Sequence, residues 1–214
     1  MRRVTGVFIG FSLLLLAFVA GVMVGRQVLI PANMGEALVA QTIATGFRSP
    51  HVLLNNVTLP TGNDSTQIDH LLITEGGIFV IETKHYKGWI FGQRGDSHWT
   101  QVIYRHKSRF QNPLRQNHAH TKAVQALFTL PAEAFIPIVV FTGQAELKGQ
   151  FGSDVLKLPH LLSYLSASWP VRFDERKMAY IVGRIEMKRL RRSLETDEYH
   201  LNSVRRRLVM KGLA

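Results

Sequence analysis

Apolar positions along this chain follow three different periods, and each predicts a different kind of element. Residues 4–25 run for 22 positions without a charge and centre on FSLLLLAFVAGVMVG. As a helix this run spans about 33 Å, enough to cross the hydrocarbon core of a bilayer. Over 34–47, Leu38, Val39, Thr42, Ile43 and Phe47 recur at helical spacing, with Gly46 near the end. Residues 51–59 (HVLLNNVTL) read as a strand closed by Pro60-Thr61-Gly62-Asn63-Asp64, a turn cluster. Strands at 67–74 and 77–84 flank a Glu-Gly-Gly turn, the chemistry of a β-hairpin. A second short hairpin joins 89–91 to 98–103 around 93–97. Asn112 and Pro113 can cap and start a helix that runs to about Leu130 and stops before Pro131. IPIVVFT at 136–142 has the continuous apolar character of a strand buried on both faces, and 155–158 reads as a short strand. From Asp174 onward the chain is basic and helix-forming.

Helix, strands, helix, strand, strand, helices is the order of an α/β sheet sandwiched by helices. The apolar run at 136–142, coming after a helix, suggests a crossover into the same sheet.

Charge narrows the partners. The chain has 26 Lys+Arg against 15 Asp+Glu, a net charge of +11 and a pI near 10.3. With Arg2, Arg3 and Arg26 set apart, 23 basic residues still face all 15 acids. Such a field favours polyanions, either nucleic acid or anionic lipid. No acid occurs from Ser97 to Ala132, while Arg105, Lys107, Arg109, Arg115, Lys122 and four histidines do. Further basic clusters lie at KRLRR (188–192) and RRR (205–207). They suit nucleic acid, anionic headgroups or an exposed helix pair. Without cysteine, disulfides, thiolate catalysis and Cys-zinc sites are excluded.

The segment 4–25 is long for a cleavable signal, and Ala20 has Phe18 where a cleavage site needs a small residue. It is therefore expected to be an uncleaved single-pass anchor. Arg2 and Arg3 before it, against Arg26 after it, bias the domain outward, whereas action on intracellular DNA needs the reverse.

The first hairpin, IDHLLITEGGIFVIETKHYKG, carries charges inside apolar runs, where they are costly unless paired or coordinated. Val80, Glu82 and Lys84 share one strand face. A Glu75-Gly76 turn sets Asp69 opposite Glu82, and a Gly76-Gly77 turn sets it opposite Lys84. Either register gathers the three groups at the hairpin end away from its turn. Two carboxylates that close repel unless a cation lies between them, and a hard divalent ion takes such oxygens. Two carboxylates and a lysine around a metal can hydrolyse a phosphodiester. The plainer reading is a partly buried salt bridge from Lys84 to Asp69 or Glu82.

Asp, a hairpin, then Glu-x-Lys resembles the PD-(D/E)xK nuclease superfamily, and more closely its nuclease-related domain (NERD) family. The resemblance rests on IDHLLI (68–73), GIFVIETKHYKG (77–88), Trp99 with Gln101, NPLRQNHAH (112–120) and the early Gly35-Glu36 pair. It spans about residues 34–142. Ile68 stands where the superfamily often has Pro. The resemblance implies a restriction-endonuclease-like mixed β-sheet flanked by helices, here preceded by one transmembrane helix. It implies Mg²⁺ or Mn²⁺ on Asp69, Glu82 and the Thr83 carbonyl, with Lys84 acting on the attacking water or the transition-state charge. Glu36 is either a further site acid or a first-turn acid complementing the helix dipole. Gln116 either orients Lys84 or a phosphate, or belongs to a solvated face. His118 and His120 point about 200° apart on a helix, which argues against zinc.

Tyr86, Lys87, Arg105, Lys107, Arg109, Arg115 and His120 are the expected nucleic-acid contacts. Trp89 either stacks on a strand or packs on Trp99 across the second hairpin. The expected organisation is an anchor over 1–30, the nuclease-related domain over 34–150, and a basic helical segment over 151–214 that completes or extends it. The expected function is membrane-anchored, metal-dependent hydrolysis of DNA, with DNA ahead of RNA. The alternative is an inactive nuclease-like module that tethers nucleic acid or a protein at the membrane. No nucleophile elbow or P-loop supports acyl transfer or NTP hydrolysis.

Overall fold

The computed structural model describes residues 34–62 and 64–191. The apolar segment 4–25 and the RRR cluster lie outside them. Among the described residues no helix is long and apolar enough to cross a membrane.

Five strands form the central sheet: β1 (His51–Thr61), β2 (Asp64–Thr74), β3 (Gly77–His85), β7 (Phe135–Thr142) and β9 (Val155–Lys157). Their order is β1-β2-β3-β7-β9. The first three are antiparallel, and β7 and β9 run parallel to β3. The apolar run in β7 does cross over into the same sheet. A smaller sheet has the order β6-β5-β4-β8, from β4 (Gly88–Phe91), β5 (His98–Ile103), β6 (His106–Gln111) and β8 (Ala145–Leu147).

Helices cover both faces of the central sheet. On one side α1 (Met34–Gly46) and α3 (Leu161–Leu165) bury Val39, Ile43, Leu161 and Leu165 against Leu72, Phe79, Ile81 and Ile138. On the other side α2 (Pro113–Gln125) and α4 (Glu175–Lys188) bury Val124, Met178, Ile181 and Ile185 against Leu71, Ile78 and Val80. The described part of 151–191 thus completes this core and adds β9 to the sheet.

The β2–β3 turn is Glu75-Gly76, with Thr74 opposite Gly77 and His70 opposite Ile81. Gly77 has φ +148°, and a Cβ there would meet the Ala134 carbonyl at 2.9 Å, so only glycine fits. Helix α2 starts as its sequence indicates. Asn112 Oδ1 accepts from the Leu114 N–H at 2.9 Å, while its Nδ2 donates to the Asp96 carbonyl at 2.7 Å. The helix ends at Gln125 rather than near Leu130. There the Leu127 and Phe128 N–H groups turn to carbonyls only three residues back, tightening the chain into the core. Strand β6 is polar, with only Phe110 half-buried, and its pattern gave no signal.

Candidate active site

The site lies where β2 and β3 part. Their backbone pairing ends at His70–Ile81. One step further Asp69 faces Glu82, and Asp69 Oδ2 accepts the Thr83 N–H at 2.7 Å. The neighbouring β1–β2 ladder is interrupted at the same level. It runs to Asn55–His70 and resumes at Val57–Ile68, and Asn56 has φ +51°. Across this break the alternation resets, because Leu71 and Ile68 both reach the same core cluster. The break lets the Asp69 side chain turn to the edge of β3.

Glu82 and Lys84 extend from β3 toward α2. Lys84 Nζ donates to Glu82 Oε1 at 2.6 Å and to Gln116 Oε1 at 3.0 Å. Glu82 is 2% exposed, and its second oxygen lies 3.1 Å from His120 Nε2. His120 Nδ1 lies 2.7 Å from Thr66 Oγ1. A Thr66 hydroxyl donating to Nδ1 leaves the ring hydrogen on Nε2, facing the carboxylate. Gln116 and His120, four residues apart, stand one above the other on α2. Asn117 between them fixes the helix height by donating from Nδ2 to the Val80 and Ile138 carbonyls at 2.9 and 2.8 Å.

The two carboxylates are pushed in opposite directions. Burial, then the Glu82 charge, then Glu36 raise Asp69 to about 8, against the Thr83 hydrogen bond and Lys84. Burial also acts to raise Glu82, but His120 and Lys84 outweigh it and hold Glu82 below its ordinary value. Lys84 loses to burial, yet Glu82 and Asp69 leave it raised. Glu82 and Lys84 are therefore charged at neutral pH, and Asp69 is the group in need of a proton or another cation. Glu36, in the first turn of α1, is near enough to act on Asp69 electrostatically.

These donors suit a hard divalent cation. Among the described residues no group of three His, Asp or Glu could hold a metal by itself; the oxygen donors that could take part here are two carboxylates and a main-chain carbonyl. The N–H and C=O of a strand residue point to the same side. The Thr83 N–H meets Asp69, so its carbonyl also turns to the gap. Glu82 Oε2 approaches His120 without hydrogen-bond alignment and keeps acceptor capacity. Oxygen donors completed by water are what Mg²⁺ or Mn²⁺ takes.

The Lys84–Glu82 salt bridge and the two-carboxylate cluster thus coexist. Of the expected nucleic-acid contacts, Lys87, Arg105, Lys107, Arg109 and Arg115 are exposed. Two are placed otherwise. His120 is buried on Glu82, and Tyr86 packs edge-on against Phe110 at 4.7 Å. Trp89 and Trp99 do not pack together, since Trp89 faces outward and Trp99 is buried. Thr66, His70 and Asn117 were missed. His70, fully buried with Nδ1 2.7 Å from Asn55 Oδ1, is lowered to about 4 by burial, against the pull of Glu82. A lone His or Asn in an apolar run carries no pattern that names its partner.

The sheet is mixed, and the Asp69…Glu82-x-Lys84 cluster sits at the parting of its hairpin. The nuclease-related domain family matches residues 31–142, and the chain belongs to that family, within the restriction-endonuclease-like superfamily. An uncharacterized protein of Bacillus anthracis is 48% identical over 94 residues. The match covers 44% of this chain and 44% of that relative, so it spans less than half of either. No solved structure matches the chain.

Proposed function

We propose that this chain is a membrane-anchored, metal-dependent nuclease that hydrolyses phosphodiester bonds, in DNA ahead of RNA. The observation that carries the reading is the convergence of Asp69, Glu82 and Lys84 at the parting of β2 and β3. Asp69, Glu82 and the Thr83 carbonyl would hold Mg²⁺ or Mn²⁺. Such an ion supplies Lewis-acid polarisation of the phosphate and a more acidic water.

The protein's own groups do the positioning. Thr83 N–H fixes Asp69, and His120, backed by Thr66, stands 3.1 Å from the second oxygen of Glu82. Lys84 stays protonated, so it serves as a positive charge beside the developing phosphorane oxygens or as an orienting donor to water. Gln116 restricts where its ammonium can point. The basic composition supports a polyanionic substrate, and the uncharged run 4–25 supports an anchor.

Calorimetric titration of the full chain with Mn²⁺ tests the reading. The expected result is one-site binding that is lost in Glu82→Gln. Absence of divalent binding, with salt-dependent DNA binding intact, would leave an inactive module instead.

A further inference from the structure

The smaller sheet turns Ile90 and Trp99 inward onto Val139, Phe141 and Phe151, and its other face is open. Directly opposed residues of neighbouring strands share a face. The open face therefore carries two cross-strand rows, Glu146–Trp89–Val102–Lys107, whose acid is paired with Lys148, and Phe91–Thr100–Arg109. Trp89 is 49% and Phe91 40% exposed, with ring centroids 6.4 Å apart. Lys107 and Arg109 are exposed at the ends of the rows. Lys148 Nζ lies 5.7 Å over the Trp89 ring. At the β5–β6 turn, Tyr104 is 97% exposed and Arg105 follows it.

The geometry points to this face as a stacking platform for single-stranded nucleic acid, separate from the Asp69–Glu82–Lys84 cluster. Isolated exposed apolar side chains are ordinary. Two adjacent aromatics on one sheet face, each in line with a cation one strand beyond its small neighbour, are a specific arrangement. Bases laid on Trp89 and Phe91 would leave their phosphates to Lys107 and Arg109. A duplex hides its base faces in its own stack and would use only the cations. Charge complementarity favours the polyanion. No acid lies between Ser97 and Ala132, and the nearby acids are engaged, Glu146 by Lys148 at 3.0 Å and Asp96 by the Gln93 N–H at 2.8 Å.

Two adjoining depressions lie beside the platform. One depression past the end of β3 is lined by Tyr86, Lys87 and Gln144, and a second by Lys87, Trp89, Val102 and Tyr104. Lys87 borders both. The platform deepens the nuclease proposal, because it rests on the reading that this chain handles nucleic acid and makes the unpaired strand its substrate form.

The test is fluorescence anisotropy of the full chain in EDTA, with labelled oligothymidine or a duplex of equal length. The single strand should bind more tightly than the duplex. Trp89→Ala should weaken strand binding by about 5- to 150-fold, and Trp89→Phe should recover most of the loss. Tyr180→Ala removes an equally exposed aromatic that sits near a lysine on α4, and should change nothing. A Trp89→Ala/Phe91→Ala chain that binds the strand like wild type overturns the platform. So does a preference for duplex, or binding to anionic vesicles or a protein but not to the strand. Strand binding through Trp89 without any cleavage in Mn²⁺ keeps the platform and defeats the nuclease reading. Cleavage with strand affinity indifferent to Trp89 does the opposite.

Discussion

Asp69→Asn should stabilise the metal-free chain, because it removes a carboxylate that its surroundings refuse to ionise. Asp69 rises from 3.8 to about 8 on folding. The proton it holds when folded contributes stability that is complete below 3.8 and is lost as pH rises through about 8. At pH 7 the loss is about 4 kcal/mol as an upper bound, since each pH unit above 3.8 costs about 1.4 kcal/mol. Asp69 is only partly buried, so solvent screening discounts this to an expected gain of about 1–3 kcal/mol. Asn keeps an oxygen for the Thr83 N–H, so the substitution isolates charge from geometry. The assay is urea unfolding in EDTA across pH 5 to 9. The advantage of the variant should grow with pH and level off above about 8. His70, lowered to about 4, makes both chains lose stability as pH falls below 6.5, and cancels in the difference. At a hundredfold excess over its Kd, Mg²⁺ should add about 2.7 kcal/mol to the wild type and nothing to the variant. A variant less stable than wild type at pH 7–8 without metal would refute the argument.

Three further outcomes follow from single contacts. His120→Ala should lower Mn²⁺ affinity roughly tenfold to a hundredfold by freeing Glu82, with partial recovery in His120→Gln; calorimetry showing equal affinity for the Ala variant would count against it. Gly35→Ala should cost about 1–3 kcal/mol in urea unfolding, since its Cβ would come within 2.8 Å of His85 Cβ and 2.7 Å of Thr142 Oγ1. Asn117→Leu should cost about 2–4 kcal/mol by leaving the Val80 and Ile138 carbonyls without their donor, and a stability change near zero would show that α2 is held otherwise.

The central sheet was legible because its periods are strong. The hairpin at Glu75-Gly76, the apolar β7 run and the Asn112-Pro113 start each have a local physical cause. Register arithmetic placed Asp69 with Glu82 and Lys84, and only the turn type was left open. What stayed hidden depends on contacts far apart in sequence. Thr66 reaches His120 across 54 residues, and Asn117 reaches Val80 across 37. Strand β6 is polar on both sides because it is the edge strand of its sheet and only Phe110 is drawn toward the core, so no alternation betrays it. Tyr86 beside the motif reads as a stacking residue, yet it is half-buried edge-on against Phe110 and Phe141, while Trp89 stands outside.

Cleavage of labelled single-stranded and duplex DNA by the full chain in Mn²⁺, beside Lys84→Ala, tests the central claim most directly. The account predicts cleavage that EDTA abolishes and that Lys84→Ala reduces by about 10²-fold or more. No cleavage by the wild type, or equal cleavage by the Lys84→Ala chain, would contradict it.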